Sequence, residues 1–146
     1  MTPQTFYRTV MAATGETRLE AAKRATAAVF HALRDRLTPE EADQVAAQLP
    51  RELKAVWYEG EVPDRRPLRL RREAFYERVR RDARLASRRE ARSLTLAVFG
   101  ALKKQLSPGE AEDVLAQLPK DLKEVWTQAR APGSPDGAAR LVRQVM

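Results

Sequence analysis

The chain contains no cysteine, no isoleucine and no asparagine, and its only histidine is His31. Without cysteine there are no disulfides, thiolate nucleophiles or sulfur metal ligands, so an apolar core alone must hold the fold. A single imidazole leaves little for hydrolysis by a nucleophile and base, and a zinc site would need carboxylates for nearly all its ligands. The few glycines, Gly15, Gly60, Gly100, Gly109, Gly133 and Gly137, never fall into a phosphate-loop or dinucleotide-binding spacing. No stretch approaches the roughly 18 consecutive apolar residues that span a bilayer. Met1-Thr2-Pro3-Gln4 shows no basic region leading into an apolar run, so a cytoplasmic location is expected. Residues of the β-branched class are sparse, while Ala, Leu, Arg and Glu, all good helix formers, dominate. The expected class is all-α, with no cofactor.

One pattern is written twice. Phe6-Tyr7 aligns with Phe75-Tyr76, Val29-Phe30 with Val98-Phe99, Leu37-Thr38-Pro39 with Leu106-Ser107-Pro108, Gln48-Leu49-Pro50 with Gln117-Leu118-Pro119, and Val56-Trp57 with Val125-Trp126. Each copy resolves into four helices. The first carries Phe6, Val10 and Ala13, or Phe75, Val79 and Ala83, on one face. Thr17-Arg18-Leu19-Glu20 and Ser87-Arg88-Arg89-Glu90 read as capping boxes that open the second helix, with the caps offset by one residue between copies. Its apolar stripe is Ala22, Thr26, Val29, Phe30, Leu33 and Leu37, or Ala91, Leu94, Val98, Phe99, Leu102 and Leu106. Thr38-Pro39-Glu40-Glu41 and Ser107-Pro108-Gly109-Glu110 start a third helix, which the Gln-Leu-Pro turns end. A short fourth helix then carries Leu53, Val56 and Trp57, or Leu122, Val125 and Trp126.

The expected organisation is therefore a first repeat over 1–58, a Gly- and Pro-punctuated linker over 59–70, a second repeat over 71–129, and a spacer over 130–146 with a short C-terminal helix. A lone unit of under about 60 residues would be marginal, so the two should pack as one pseudo-symmetric helical body. This double pattern resembles a bacterial family catalogued as domain of unknown function 2267. The residues that carry the resemblance are Phe6, Val29, Leu33, Leu37, Glu41-Ala42, Gln48-Leu49-Pro50, Trp57 and their second-copy partners. The resemblance implies a compact helical protein and brings no activity with it.

Three groups could carry chemistry. His31, replaced by Gly100 in the second copy, reads as a half-exposed helix residue before it reads as a base or ligand. Glu40, Glu41 and Asp43, with Glu110, Glu112 and Asp113, read as helix-start carboxylates favoured by the dipole before they read as an acid–base or cation site. Trp57 and Trp126, at helical spacing from leucines, read as core before ligand platforms.

One feature is not shared by the copies. Arg65, Arg66, Arg69, Arg71, Arg72, Arg78, Arg80, Arg81, Arg84, Arg88, Arg89 and Arg92 lie in one segment with only Glu73, Glu77, Asp82 and Glu90 between them, and the whole chain carries a net charge of +7. Such a cluster suits phosphate, which guanidinium grips bidentately. The opposing reading is a solvated face of ion pairs. The sequence thus points to a non-enzymatic module binding a protein partner or itself. Sequence-nonspecific nucleic-acid or polyanion binding through Arg65 to Arg92 is the alternative.

Overall fold

Helix starts are dictated by hydroxyl caps and proline. In the computed structural model, described over residues 2–130, Thr38 Oγ1 accepts the Glu41 amide and Ser107 Oγ accepts the Glu110 amide, with Pro39 and Pro108 in the first turn. The resulting elements are α1 (Pro3–Thr14), α2 (Leu19–Arg36), α3 (Pro39–Ala47), α4 (Arg51–Tyr58), α5 (Arg72–Asp82), α6 (Arg88–Gln105), α7 (Pro108–Ala116) and α8 (Lys120–Gln128). There is no strand among the described residues, and the expected all-α class holds. The expected C-terminal helix, Ala138 to Met146, lies outside the described residues.

The helices of the second half start at Arg72, Arg88, Pro108 and Lys120, each 69 residues after Pro3, Leu19, Pro39 and Arg51. That constant spacing corrects the expected one-residue slip between caps. Arg18, not Thr17, takes the N-cap position of α2 and forms no side-chain cap, while Ser87 caps α6 as expected. Glu90 reaches back to the Ala86 amide (3.1 Å), and Glu16 receives the Arg18 amide (2.8 Å) in the first half.

One apolar cluster runs from Phe6 to Ala129 through both halves. Edge-to-face aromatic stacks mark its two centres: Phe30 lies 5.5 Å from Phe6 and 5.4 Å from Trp57, and Phe99 lies 5.7 Å from Phe75 and 5.1 Å from Trp126. Each such pair adds about 0.5–1.5 kcal/mol beyond area burial. Both tryptophans are core residues. Two expected stripe positions differ: Ala13 is exposed, because the α1 face is completed by Tyr7, and Leu94 is half-buried, because Thr95 takes the buried place that Thr26 holds in α2. The halves interlock, with α1 packed on α6 as well as α2, and α5 packed on α2 as well as α6.

A second junction joins α3 to α7 by reciprocal bonds. The Thr38 amide donates to Gln117 Oε1 (2.9 Å) and the Ser107 amide to Gln48 Oε1 (2.7 Å). Each glutamine amide also bonds the opposing hydroxyl at 3.2 Å. In an ordinary capping box the glutamate three residues on would take that N-cap amide. Here the glutamine of the other half's Gln-Leu-Pro turn takes it. Glu41 and Glu110 are thereby released to face each other.

Candidate polyanion-binding surface

Four outcomes befall the twelve arginines of the basic segment. Arg65 and Arg78 are drawn into a largely buried network around Asp35. Arg65 donates to the carbonyls of Arg34 (2.6 Å) and Leu37 (2.7 Å) at the C-terminus of α2 and pairs with Glu61 at 2.7 Å. A cation there offsets the negative end of the helix dipole. Arg78 reaches Asp35 Oδ2 at 2.7 Å. Arg34, whose side chain is only 4% exposed, bonds Asp35 at 2.8 Å and donates to the carbonyls of Trp57 (2.8 Å) and Glu59 (2.7 Å), capping α4. In the second half Lys103 holds the equivalent position, donating to the carbonyls of Trp126 (2.7 Å) and Ala129 (3.0 Å). Burial pushes the Asp35 carboxyl up, but the hydrogen bonds and charges of Arg34 and Arg78 outweigh it and hold the group below its ordinary range.

A second set makes surface ion pairs. Arg80 and Arg88 pair with Glu77 at 2.6 and 3.2 Å, and their hydrogen bonds hold its carboxyl down at about 2. Arg72 pairs with Glu73 and Arg81 with Asp82. Exposed pairs of this kind contribute little to stability.

Arg66 and Arg69 form a third set, exposed in the connection between α4 and α5. The fourth is Arg71, Arg84, Arg89 and Arg92, all exposed; neither these nor Arg66 and Arg69 have a carboxylate within ion-pair distance among the described residues. These last four line a run of linked concavities. Arg71 borders one with Lys120 and Glu124; Arg72 and Arg92 border the next, which shares Glu124. Arg92 and Arg130 border a third, sharing Gln128, and Ser93 leads from it into a cleft of about 580 Å³. Arg18, Arg24, Arg84 and Arg89 line that cleft. The structure thus splits the sequence-defined cluster: half of it is internal or paired, Arg66 and Arg69 stand exposed in the α4–α5 connection, Arg71 and Arg92 border the run, and Arg84 and Arg89 join Arg18 and Arg24 of the first half in the cleft. Those two were invisible as site residues in the sequence because their proximity to α6 depends on how the halves interlock.

The model of a family described as uncharacterized conserved proteins, DUF2267, matches residues 3–125 and again 72–146. The chain belongs to the DUF2267 family. No curated protein matches it. The two matches begin at the first residues of α1 and α5.

In this DUF2267 chain the other candidate residues are placed as follows. His31 Nε2 lies 2.7 Å from the Val56 carbonyl, helping Arg34 close the end of α4. The helix-start carboxylates are not all solvated: Glu41 and Glu110 are 8% and 6% exposed. Oxygens of Glu41, Glu110 and Asp113 lie within 4.8 Å of one another, an all-oxygen set of the type that suits a hard cation. A proton meets the same need. Burial first, then Glu41 and Asp113, push the Glu110 carboxyl up to about 8. The Gln44 amide serves both carboxyls in one orientation, with its nitrogen 3.3 Å from Glu41 Oε2 and 3.2 Å from Glu110 Oε1. In the sequence both glutamates stand three residues after an N-cap hydroxyl, so their equivalence was legible while their approach was not.

Proposed function

We propose that this DUF2267 chain is a non-enzymatic, cytoplasmic binding module whose partner is nucleic acid, held through its phosphates without sequence preference. The observation that carries this reading is the run of concavities bearing Arg71, Arg92, Arg89 and Arg84, arginines that the fold leaves without carboxylate partners among the described residues. Guanidinium is suited to bidentate phosphate contact, and each phosphate neutralised releases counterions. Among the described residues, the aromatic side chain lining the run is Tyr76, which is buried. Phosphate contact, not base stacking, is therefore the mode supported. A protein partner or self-association draws less support: among the described residues, the exposed large apolar side chains, Leu19, Tyr58, Val62 and Leu68, are spread over α2, α4 and the α4–α5 connection.

Fluorescence-anisotropy titration with short duplex DNA over a series of salt concentrations tests the proposal. Four or five phosphate contacts predict that log affinity falls against log salt with a slope of roughly −4. Absence of binding at low salt would remove the reading.

A further inference from the structure

The cleft at the end of this run differs from the rest of it. It is walled by both halves: Arg18 and Arg24 come from the start of α2, Arg84 and Arg89 from the junction of α5 and α6. At about 580 Å³ it falls within the range of small-molecule sites.

Its wall is electrically lopsided. Glu16 is engaged by the amide and Nε of Arg18 at 2.8 and 3.1 Å, and Glu90 by the Ala86 amide at 3.1 Å. Arg24 is oriented by its bond to the Ala83 carbonyl (3.0 Å), which leaves the end of its guanidinium unspent. Arg84 and Arg89 meet no carboxylate within ion-pair distance among the described residues. Four arginines against two glutamates leave a local charge that matches the charge of roughly −2 on a phosphate monoester. Leu85 and Leu94 add apolar wall for an organic group. The hydroxyl residues Thr14 and Ser93 also line the cleft.

The backbone supplies an independent observation. Arg84 has φ +58°, in the left-handed region, at the position where the first half has Gly15 at φ +76°. A side chain in that conformation costs on the order of 1 kcal/mol relative to glycine. The second half therefore carries a strained arginine where glycine serves the turn, and that arginine sits on the wall of the cleft. Strain of this kind collects at ligand sites.

We propose that this cleft binds a small organic phosphate monoester, gripped by Arg84 and Arg89 with Arg18 and Arg24 behind them. The proposal stands apart from the nucleic-acid reading, since it needs only the cleft and not the run leading to it. Isothermal titration calorimetry of the full chain with phenyl phosphate at low salt tests it. One saturable site is expected, weakened at least tenfold by Arg84→Gly and by Arg89→Ser and unchanged by Arg66→Ser, which lies outside the cleft and the run leading to it. Arg84→Gly should also melt at a higher temperature than the parent, so weaker binding cannot be ascribed to misfolding. No saturable binding, or binding equal in the parent and the two cleft variants, overturns the proposal. DNA binding that persists in that case would show that the cleft assignment alone has failed.

Discussion

Glu110→Gln is expected to stabilise the protein above neutral pH and to remove most of a pH dependence that the parent shows. With its carboxyl pushed up to about 8, Glu110 keeps a proton in the folded chain that the unfolded chain releases near its ordinary value of 4.5. A raised folded-state pKa means that the folded chain binds more protons between those values. Stability therefore falls as pH rises from about 4.5 towards 8 and is level above that. Each unit of difference is worth about 1.4 kcal/mol, and because part of the rise comes from the neighbouring carboxyls of Glu41 and Asp113 and not from burial alone, the expected loss is on the order of 2 kcal/mol. The glutamine variant keeps a neutral side chain in place at every pH. Urea denaturation of parent and variant at pH 5, 7 and 9 should give curves that diverge with rising pH. A stability difference that stays constant across that series would mean that the α3–α7 junction does not hold a proton.

Asp35→Ala should cost about 3 kcal/mol, the range found when one partner of a buried ion pair is removed. Asp35 receives Arg34 at 2.8 Å and Arg78 at 2.7 Å and lies 3.8 Å from Arg65. Glu61 remains for Arg34 and Arg65, at 3.7 and 2.7 Å, which keeps the loss from being larger. The sign with pH is opposite to that of Glu110. The folded-state pKa of Asp35 is lowered, so its contribution is present above the ordinary value of 3.8 and is lost as pH falls. Arg66→Ser, on an exposed side chain of the α4–α5 connection, should stay within about 0.5 kcal/mol of the parent. Equal effects of the two substitutions in a denaturation series would contradict the division of the basic segment into internal and free arginines.

How much of this was legible in the sequence depended on the range of the interaction. Local signals carried far: Thr38-Pro39 and Ser107-Pro108 start helices as their chemistry requires, and Phe30, Trp57, Phe99 and Trp126 form the core that their spacing implied. The α2 cap misled because Thr17 and Ser87 look alike while only Ser87 stands at the right turn of the repeat. Charge was legible only as a total. Arg65 and Arg89 are the same residue type in the same segment, yet one closes a helix end and the other borders a cleft. Nothing local separates them. The approach of Glu41 to Glu110 was likewise hidden, since it requires Gln48 and Gln117 to take the N-cap amides of the opposite half.

In the proposed function, the placement of the free arginines, and not net charge, makes the binding surface. Two variants that each remove four positive charges test this in the DNA titration. One carries Arg71→Ser, Arg84→Gly, Arg89→Ser and Arg92→Ser; the other carries Arg66→Ser, Arg69→Ser, Arg80→Ser and Arg81→Ser, all away from the concave run. The first should bind at least tenfold more weakly, with a salt dependence flattened by roughly 0.9 for each phosphate no longer engaged, while the second stays close to the parent. Equal weakening in both would contradict the proposed surface, leaving general electrostatic attraction in its place.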